Sequence, residues 1–287
     1  MKASDVFKRK MSFSFEVFPP KVEQPIEPLK ETLKKLAAFN PDFVSCTYGA
    51  GGTNKGRNTE VCQAILEDGM LPITHFTCIG NTKEDIVKAV EEYKAIGVEN
   101  MLALRGDLPK GWEGTGGDFH HADELIAFIK EIAPDMCLAA AGYPEKHIQC
   151  DTMDEDIAHL RRKQDNGAEF IMTQLCHDVD AFERFRDKAR KAGVTIPIEM
   201  GIMPVLKKDP IIRMTIGTNG CSIPADLAVL IGKYGEDPEA FAEAGKEYTV
   251  KQIFRFINAG VDGIHIFTLN KYDDVADILH MAGIYEK

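Results

Sequence analysis

The residues best suited to chemistry close short strand-like runs. Glu16 lies in SFSFEVFPP at 12–20, where small or polar residues alternate with aromatics before a double proline. That is a strand pattern with a hard stop. Phe13, Phe15 and Val17 point one way; Ser12, Ser14, Glu16 and Phe18 point the other. A carboxylate among aromatics is costly to bury unless it is paired or protonated. Burial would favour its neutral form, which suits a general acid near neutral pH. The competing reading is a half-exposed edge strand with Glu16 in water.

Other runs end in polar groups of the same kind. They offer Thr47 and Tyr48, then His75 and Thr77, then Arg105-Gly106-Asp107. Further on come Tyr143 with Glu145 and His147, Thr173 with Gln174, and His265 with Thr268 and Asn270. Arginine suits phosphate recognition, and Gly106 would let a ligand approach the backbone. Alone, Arg105 and Asp107 could equally form a rim ion pair worth little. His75 alone reads more readily as a hydrogen-bonded core histidine. His75 and His147 lack a third ligand at suitable spacing, which disfavours a metal. Arg161-Arg162-Lys163 reads as a solvated helix face or as a phosphate clamp. No activated serine or cysteine stands out, and no strand end carries a lysine placed for Schiff-base chemistry.

These residues need a frame. Strand candidates fall at 12–18, 43–49, 72–78, 100–106, 137–143, 170–176, 196–204 and 263–270. Amphipathic helical segments lie between them, among them 82–95, 123–132, 154–166 and 180–192, the first capped by Asn81 or Thr82. Glycines at Asn166-Gly167, Ala192-Gly193 and Ala259-Gly260 mark helix exits. Eight strands alternating with helices predict a parallel sheet, closed at this length into a single (β/α)8 barrel domain over 1–287. A doubly wound open sheet is the runner-up, weakened because no strand runs into a GxGxxG turn. The irregular stretches 49–57, 108–121 and 206–222 follow strands and so belong to the catalytic face of a barrel.

Composition limits the classes. The 287 residues carry 34 basic and 45 acidic side chains, a formal net charge of −11. So acidic a chain is a poor candidate for nucleic acid or an anionic membrane. No run of about 20 apolar residues would span a bilayer, and the N-terminus lacks the apolar core of a secretory signal. The seven cysteines are odd in number, scattered and without a CxxC pair, which argues against a disulfide framework or a local zinc site. The expectation is a reduced, cytoplasmic protein.

The motifs together resemble a known family. SFSFEVFPPK at 12–21, FVSCTYGAGG at 43–52, HFTC at 75–78 and ALRGDLP at 103–109 come in this order. AAGYPEKH at 140–147, LRRKQDNGA at 160–168, TQL at 173–175 and FTLN at 267–270 follow. Together they resemble methylenetetrahydrofolate reductase of the short bacterial type, from about residue 10 to residue 283. The resemblance implies a flavin-binding (β/α)8 barrel, usually with FAD, FMN being the other choice. It implies reduction of 5,10-methylenetetrahydrofolate to 5-methyltetrahydrofolate in one-carbon metabolism, with hydride arriving from NADH or NADPH through flavin N5. Glu16 matches the family's general acid. Asp107 matches the aspartate near flavin and pterin, and Gln174 the glutamine used by folate and donor. Flavin positions fall on Thr47, Tyr48, Ala50, His75, Arg105, Gly106, Asp107, Ala122, Tyr143, His147, Asp156, Arg162 and Lys163. Arg162 and Lys163 would then face the pyrophosphate.

There are departures. Met214 stands where many members carry a phenylalanine against substrate or donor, and Lys271 where an arginine often contacts folate. Lysine keeps the charge and loses the planar fork. The loop after Asp107 is longer than in the enterobacterial type, and IGTNGCSIP at 216–224 is distinctive. These changes bear on the electron donor more than on the folate chemistry. A second reading is therefore a catalytic subunit fed by a partner protein, and the assembly could be a homo-oligomer or a hetero-complex. A third is a folate- or partner-binding barrel without chemistry, which intact Glu16, Asp107 and Gln174 argue against.

Overall fold

A computed structural model describes residues 1–48, 57–108 and 111–286. Eight parallel strands close into a barrel in sequence order. They are β1 (Ser12–Val17), β2 (Phe43–Cys46), β3 (Pro72–Thr77), β4 (Asn100–Leu104), β5 (Cys137–Gly142), β6 (Phe170–Thr173), β7 (Ile198–Ile202) and β8 (Gly263–Phe267). The ring shuts where β8 pairs with β1, Ser14 opposite His265 and Glu16 opposite Phe267. The eight predicted strands are all present, and the open sheet is excluded.

Helices cover the outside: α1 (Glu27–Ala37), α2 (Arg57–Glu67), α3 (Lys83–Ala95), α4 (Ala122–Ile132), α5 (Met153–Asp165), α6 (Val179–Lys191), α7 (Lys208–Ile212), α8 (Ala225–Tyr234), α9 (Pro238–Asn258) and α10 (Tyr272–Met281). Thr82 caps α3 in a capping box with Asp85, resolving the Asn81-or-Thr82 choice. Gly167, Gly193 and Gly260 all take positive φ at their helix exits.

Alternation along β1 works as the sequence requires. Phe15 and Val17 are buried in the core between barrel and helices, with Phe13 packed against it. Ser12, Ser14 and Glu16 face inward. Inside, Phe43, Ile73, Leu102, Cys137, Ala139, Phe170 and Met172 fill one side of the lumen. The N-terminal turn at Ala3–Asp5 closes the bottom: Ala3 N–H donates to Asn100 Oδ1 at 2.7 Å, and Phe7 packs on Phe170 at 5.1 Å. The other side of the lumen, along β7, β8 and β1, is polar.

Strands β2, β4, β6 and β7 end earlier than expected, and the end of β8 and the stretch after β7 are corrected as well. The strand expected over 263–270 stops at Phe267, because Leu269 and Asn270 take φ near +53° and +55°. There the Asn270 side chain replaces the ladder, donating to Phe18 O at 2.8 Å and accepting from Phe18 N–H at 3.1 Å. The stretch 206–222, expected to be irregular, contains α7 and then a π-helical turn over Arg213–Thr218. Such turns are uncommon and concentrate at functional sites.

Candidate active site

A cavity of about 540 Å³ opens at the C-terminal ends of the strands. Eleven predicted site residues line it: Glu16, Thr47, Tyr48, His75, Arg105, Gly106, Asp107, Tyr143, His147, Gln174 and Met214. His265, Thr77, Thr218 and Asn219 line it as well. Ala122, Asp156, Arg162, Lys163 and Lys271 are not in its wall. Ala50 lies outside the described residues, as does the rest of 49–56.

Glu16 stands on the cavity floor with its side chain 22% exposed. Its Oε2 lies 3.6 Å from His75 Nε2 and 3.7 Å from His265 Nε2. Its backbone is fixed by Thr268, whose Oγ1 donates to Glu16 O at 2.7 Å. His75 is buried, yet its Nε2 has no hydrogen-bond partner. It is therefore not the satisfied core histidine that its sequence context suggested. Burial pulls its pKa down to about 4, against the opposing pull of Glu16, with His265 adding to the fall. The imidazole beside Glu16 is thus neutral near pH 7.

The end of β2 is held by Asn58 on α2, which sequence reading did not single out. Its Nδ2 donates to Cys46 O and Thr47 O, both at 2.9 Å, while Thr74 and Tyr93 donate to its Oδ1. Gly106 takes φ +92°, and a Cβ there would lie 2.6 Å from Ile79 Cγ2. Glycine is needed for this turn as much as for any ligand. Arg105 Nε donates to Gly106 O at 3.0 Å, and no ion pair to Asp107 is found among the described residues. Asp107 stays exposed on the rim.

On the β5 side, Tyr143 and His147 meet edge-to-face at 4.7 Å. Burial pushes the Tyr143 hydroxyl up to about 12. Burial and Arg105 hold His147 below its usual value. Buried Asp156 accepts the His147 N–H at 2.9 Å. The basic trio divides. Arg161 and Arg162 face outward, pairing with Asp165 and Asp123. Lys163 turns inward, donating to Ala141 O at 2.9 Å and sitting 5.7 Å from the Tyr143 ring centre. Glu145 accepts from Ser222 N–H and Cys176 Sγ, so it ties loops together and leaves the cavity wall to others. Lys271 precedes α10 and faces Asp274 at 3.9 Å.

The wall fits a planar heteroaromatic cofactor with an anionic tail. His75 and Thr77 line it, and His75 Nε2 and Thr77 Oγ1 are buried without a hydrogen-bond partner among the described residues, a need that a ring edge carrying donors and acceptors would meet. Lys163 holds a cation one layer behind Tyr143.

The family model for methylenetetrahydrofolate reductase matches residues 2–283. The chain belongs to that family. A Schizosaccharomyces pombe relative, methylenetetrahydrofolate reductase 1, is 34% identical, the match covering 98% of this chain and 47% of that protein. The Zea mays methylenetetrahydrofolate reductase (NADH) 1 is 32% identical over 96% of this chain and 49% of its own. Escherichia coli 5,10-methylenetetrahydrofolate reductase is 31% identical, covering 96% of this chain and 91% of that one. The chain thus spans about half the length of the eukaryotic family members and most of the bacterial one. An uncharacterized Clostridium thermocellum protein, described as binding two copies of 5-methyl-5,6,7,8-tetrahydrofolic acid, superposes with a TM-score of 0.67 at 14% identity. That match covers 97% of this chain and 96% of that one, and it supports the barrel fold of this family member. Among the described residues, no helix is long and apolar enough to cross a membrane.

Neutral buried histidines make the stability of this reductase-family barrel pH-dependent. His75 and His177 both have pKa values lowered by burial to about 4. The unfolded chain takes up protons near pH 6.5, while the native state refuses them until about pH 4. Their stabilisation is present above pH 6.5 and is lost as pH falls between those values. Buried Glu199, whose acid form is favoured by burial, works the other way and offsets part of the loss. At about pH 5 each histidine accounts for roughly 2 kcal/mol. Urea midpoints at pH 7 and pH 5 should therefore separate, and His177→Phe should shrink the separation by about that amount. An unchanged separation would remove His177 from the account.

Proposed function

We propose that the protein reduces 5,10-methylenetetrahydrofolate to 5-methyltetrahydrofolate on a flavin bound in this cavity, FAD before FMN, with NAD(P)H as donor. The observation that carries the reading is Glu16, half-exposed on the floor between two histidines, in a chain of the reductase family. The folate's five-membered ring must open before its one-carbon unit can be reduced. Protonating N10 expels that nitrogen, and Glu16 is the carboxyl placed to give the proton. Neutral His75 places no positive charge against Glu16. Gln174 and Asp107 offer the amide and carboxylate that orient folate, and Gln174 also serves the donor. Thr47, Tyr48, His75, Arg105, Gly106, Tyr143 and His147 form the cofactor wall, with Ala122, Asp156, Arg162 and Lys163 toward the anionic tail. Bound flavin supplies the hydride.

The test is the visible spectrum of the purified chain, followed by anaerobic titration with NADH. Bleaching of a flavin band is expected. A chain that neither carries nor takes up flavin would overturn the reading. A flavin that stays oxidised with NADH and NADPH, yet is reoxidised by methylenetetrahydrofolate after chemical reduction, would place electron entry on a partner subunit. Met214, where an aromatic would face the donor, is the residue that favours this second reading.

A further inference from the structure

The polar side of the lumen continues below Glu16. Ser12 Oγ donates to Glu199 Oε1 at 2.7 Å, and Ser14 Oγ lies 2.8 Å from the same oxygen, donating to the carboxylate and accepting from the acid. Ser14 Oγ also lies 2.7 Å from His265 Nδ1. The far nitrogen of that ring, Nε2, faces Ser45 Oγ at 3.3 Å and Glu16 Oε2 at 3.7 Å. Glu199, Ser12, Ser14, Ser45 and His265 are all buried, and of this line Glu16 and His265 border the cavity. Two carboxyl groups are thus joined through one hydroxyl and one imidazole.

Glu199 enters this line because β8 makes room for it. Gly263 pairs with Ser12 on one side and with Glu199 on the other. A Cβ at 263 would lie 1.7 Å from Ser12 Oγ and 3.0 Å from Glu199 Cγ. The Glu199 side chain passes over this glycine to reach β1. Its Oε2 is buried without a partner. A charge on that oxygen would be uncompensated, so the site favours the neutral acid. Burial raises the Glu199 pKa, against the pull of His265, Ser12 and Ser14, with Asp42 adding to the rise. The titratable groups facing the line are Glu16 on β1, His75 on β3, His265 on β8 and, farther off, Asp42.

We propose that Glu199 is a proton reserve that recharges Glu16 through Ser14 and His265. The inference rests on the reading of Glu16 as general acid. When Glu16 has given up its proton, the Glu199 hydroxyl proton passes to Ser14 Oγ. Ser14's own proton passes to His265 Nδ1, and the Nε2 proton passes to Glu16 Oε2. Glu199 ends as the carboxylate and Glu16 as the acid. The imidazole exchanges one N–H for the other, and no net charge is created. The 3.7 Å gap to Glu16 exceeds a hydrogen bond. A turn of the partly exposed carboxyl closes it. Glu199 acts through other groups and is a positioning and proton-holding residue; it does not touch substrate.

A purely structural Glu199 would only hold β7 to β1 across Gly263. The two roles separate in the reduced holoenzyme, reoxidised by methylenetetrahydrofolate across a range of pH. Glu199→Gln keeps the shape and removes the transferable acid proton. The folate half-reaction should slow by about tenfold or more at the alkaline end. Its basic limb should move to lower pH, while flavin reduction by NADH is unchanged. Ser14→Ala cuts the line at another link and should move the limb the same way. If Glu199→Gln fails to fold, Ser14→Ala decides alone. Infrared spectra give a readout apart from turnover: a buried carboxylic-acid carbonyl band in the wild type that Glu199→Gln lacks. Folded variants with wild-type rates and pH profile, or no such band, would overturn the reserve. A wild-type protein that methylenetetrahydrofolate cannot reoxidise would overturn the parent reading, and the relay with it.

Discussion

Glu16→Gln should leave a folded protein that binds flavin and accepts electrons, yet reduces methylenetetrahydrofolate about 10²- to 10⁴-fold more slowly. The geometry supports such a clean separation. The bonds that fix this end of β1 use the backbone carbonyl of residue 16, accepted from Thr268 N–H and Oγ1, and these survive the change. Among the described residues the side chain makes the 3.6 and 3.7 Å approaches to two histidines, too long for strong hydrogen bonds. Stability should therefore move by no more than about 0.5 kcal/mol. What glutamine cannot do is give a proton to the nitrogen that must leave. Stopped-flow absorbance at the flavin band, with NADH in one experiment and methylenetetrahydrofolate in the other, reads the two half-reactions apart. Near-normal reoxidation by folate in this variant would remove Glu16 from the acid's role. Loss of both half-reactions would point to a damaged flavin site instead.

Much of this architecture was legible because its signals are local. A strand needs only a few residues to show itself, and all eight did. Period two puts Ser12, Ser14 and Glu16 on one face of β1, and the closed barrel makes that face the inward one. Where reading fell short, the deciding contacts were distant in sequence. The end of β8 is set by Asn270 bonding to Phe18, across the seam of the barrel. Thr268 and Glu145 looked like site residues because they close strands, but a strand end must also satisfy its own backbone and loops. They do that work here. His75 taken alone reads as a hydrogen-bonded core histidine and by resemblance as a flavin position; its buried Nε2 has no hydrogen-bond partner among the described residues, which no local pattern encodes.

Glu199 escaped notice for the same reason. Strands of a parallel barrel are buried on both faces, so a glutamate amid Ile198, Met200 and Ile202 was itself a signal. Its meaning depends on two serines 187 and 185 residues away and on the missing side chain of Gly263. Period and composition do not report such triples. The basic trio at 161–163 shows the converse. Three adjacent residues read as a solvated face or as a phosphate clamp, and their directions are set by partners elsewhere: Arg161 and Arg162 turn out toward Asp165 and Asp123, and Lys163 turns in.

That division makes a second large effect predictable. Lys163 is held inside with no carboxylate at ion-pair distance among the described residues; its amine has the Ala141 carbonyl and the face of Tyr143. Burial lowers its pKa, with Asp156 pulling it back up, so the charged form is under strain in the flavin-free protein. A half-buried cation with so few partners adds little to stability, and an apolar replacement of similar shape is often neutral or stabilising. In the proposed function the same amine faces the pyrophosphate of FAD, and there the charge gains its partner. Lys163→Met should therefore leave the flavin-free barrel as stable as wild type, or about 1 kcal/mol more so. It should weaken FAD binding by roughly 30- to 100-fold, the loss of a charged hydrogen bond. Thermal melts of the flavin-free proteins and titration of FAD fluorescence quenching measure both halves. Unchanged FAD affinity with lowered stability in Lys163→Met would assign the lysine to tying down the end of β5. The opposite signs, stability kept and affinity lost, are what a cation held in reserve for an anionic tail requires.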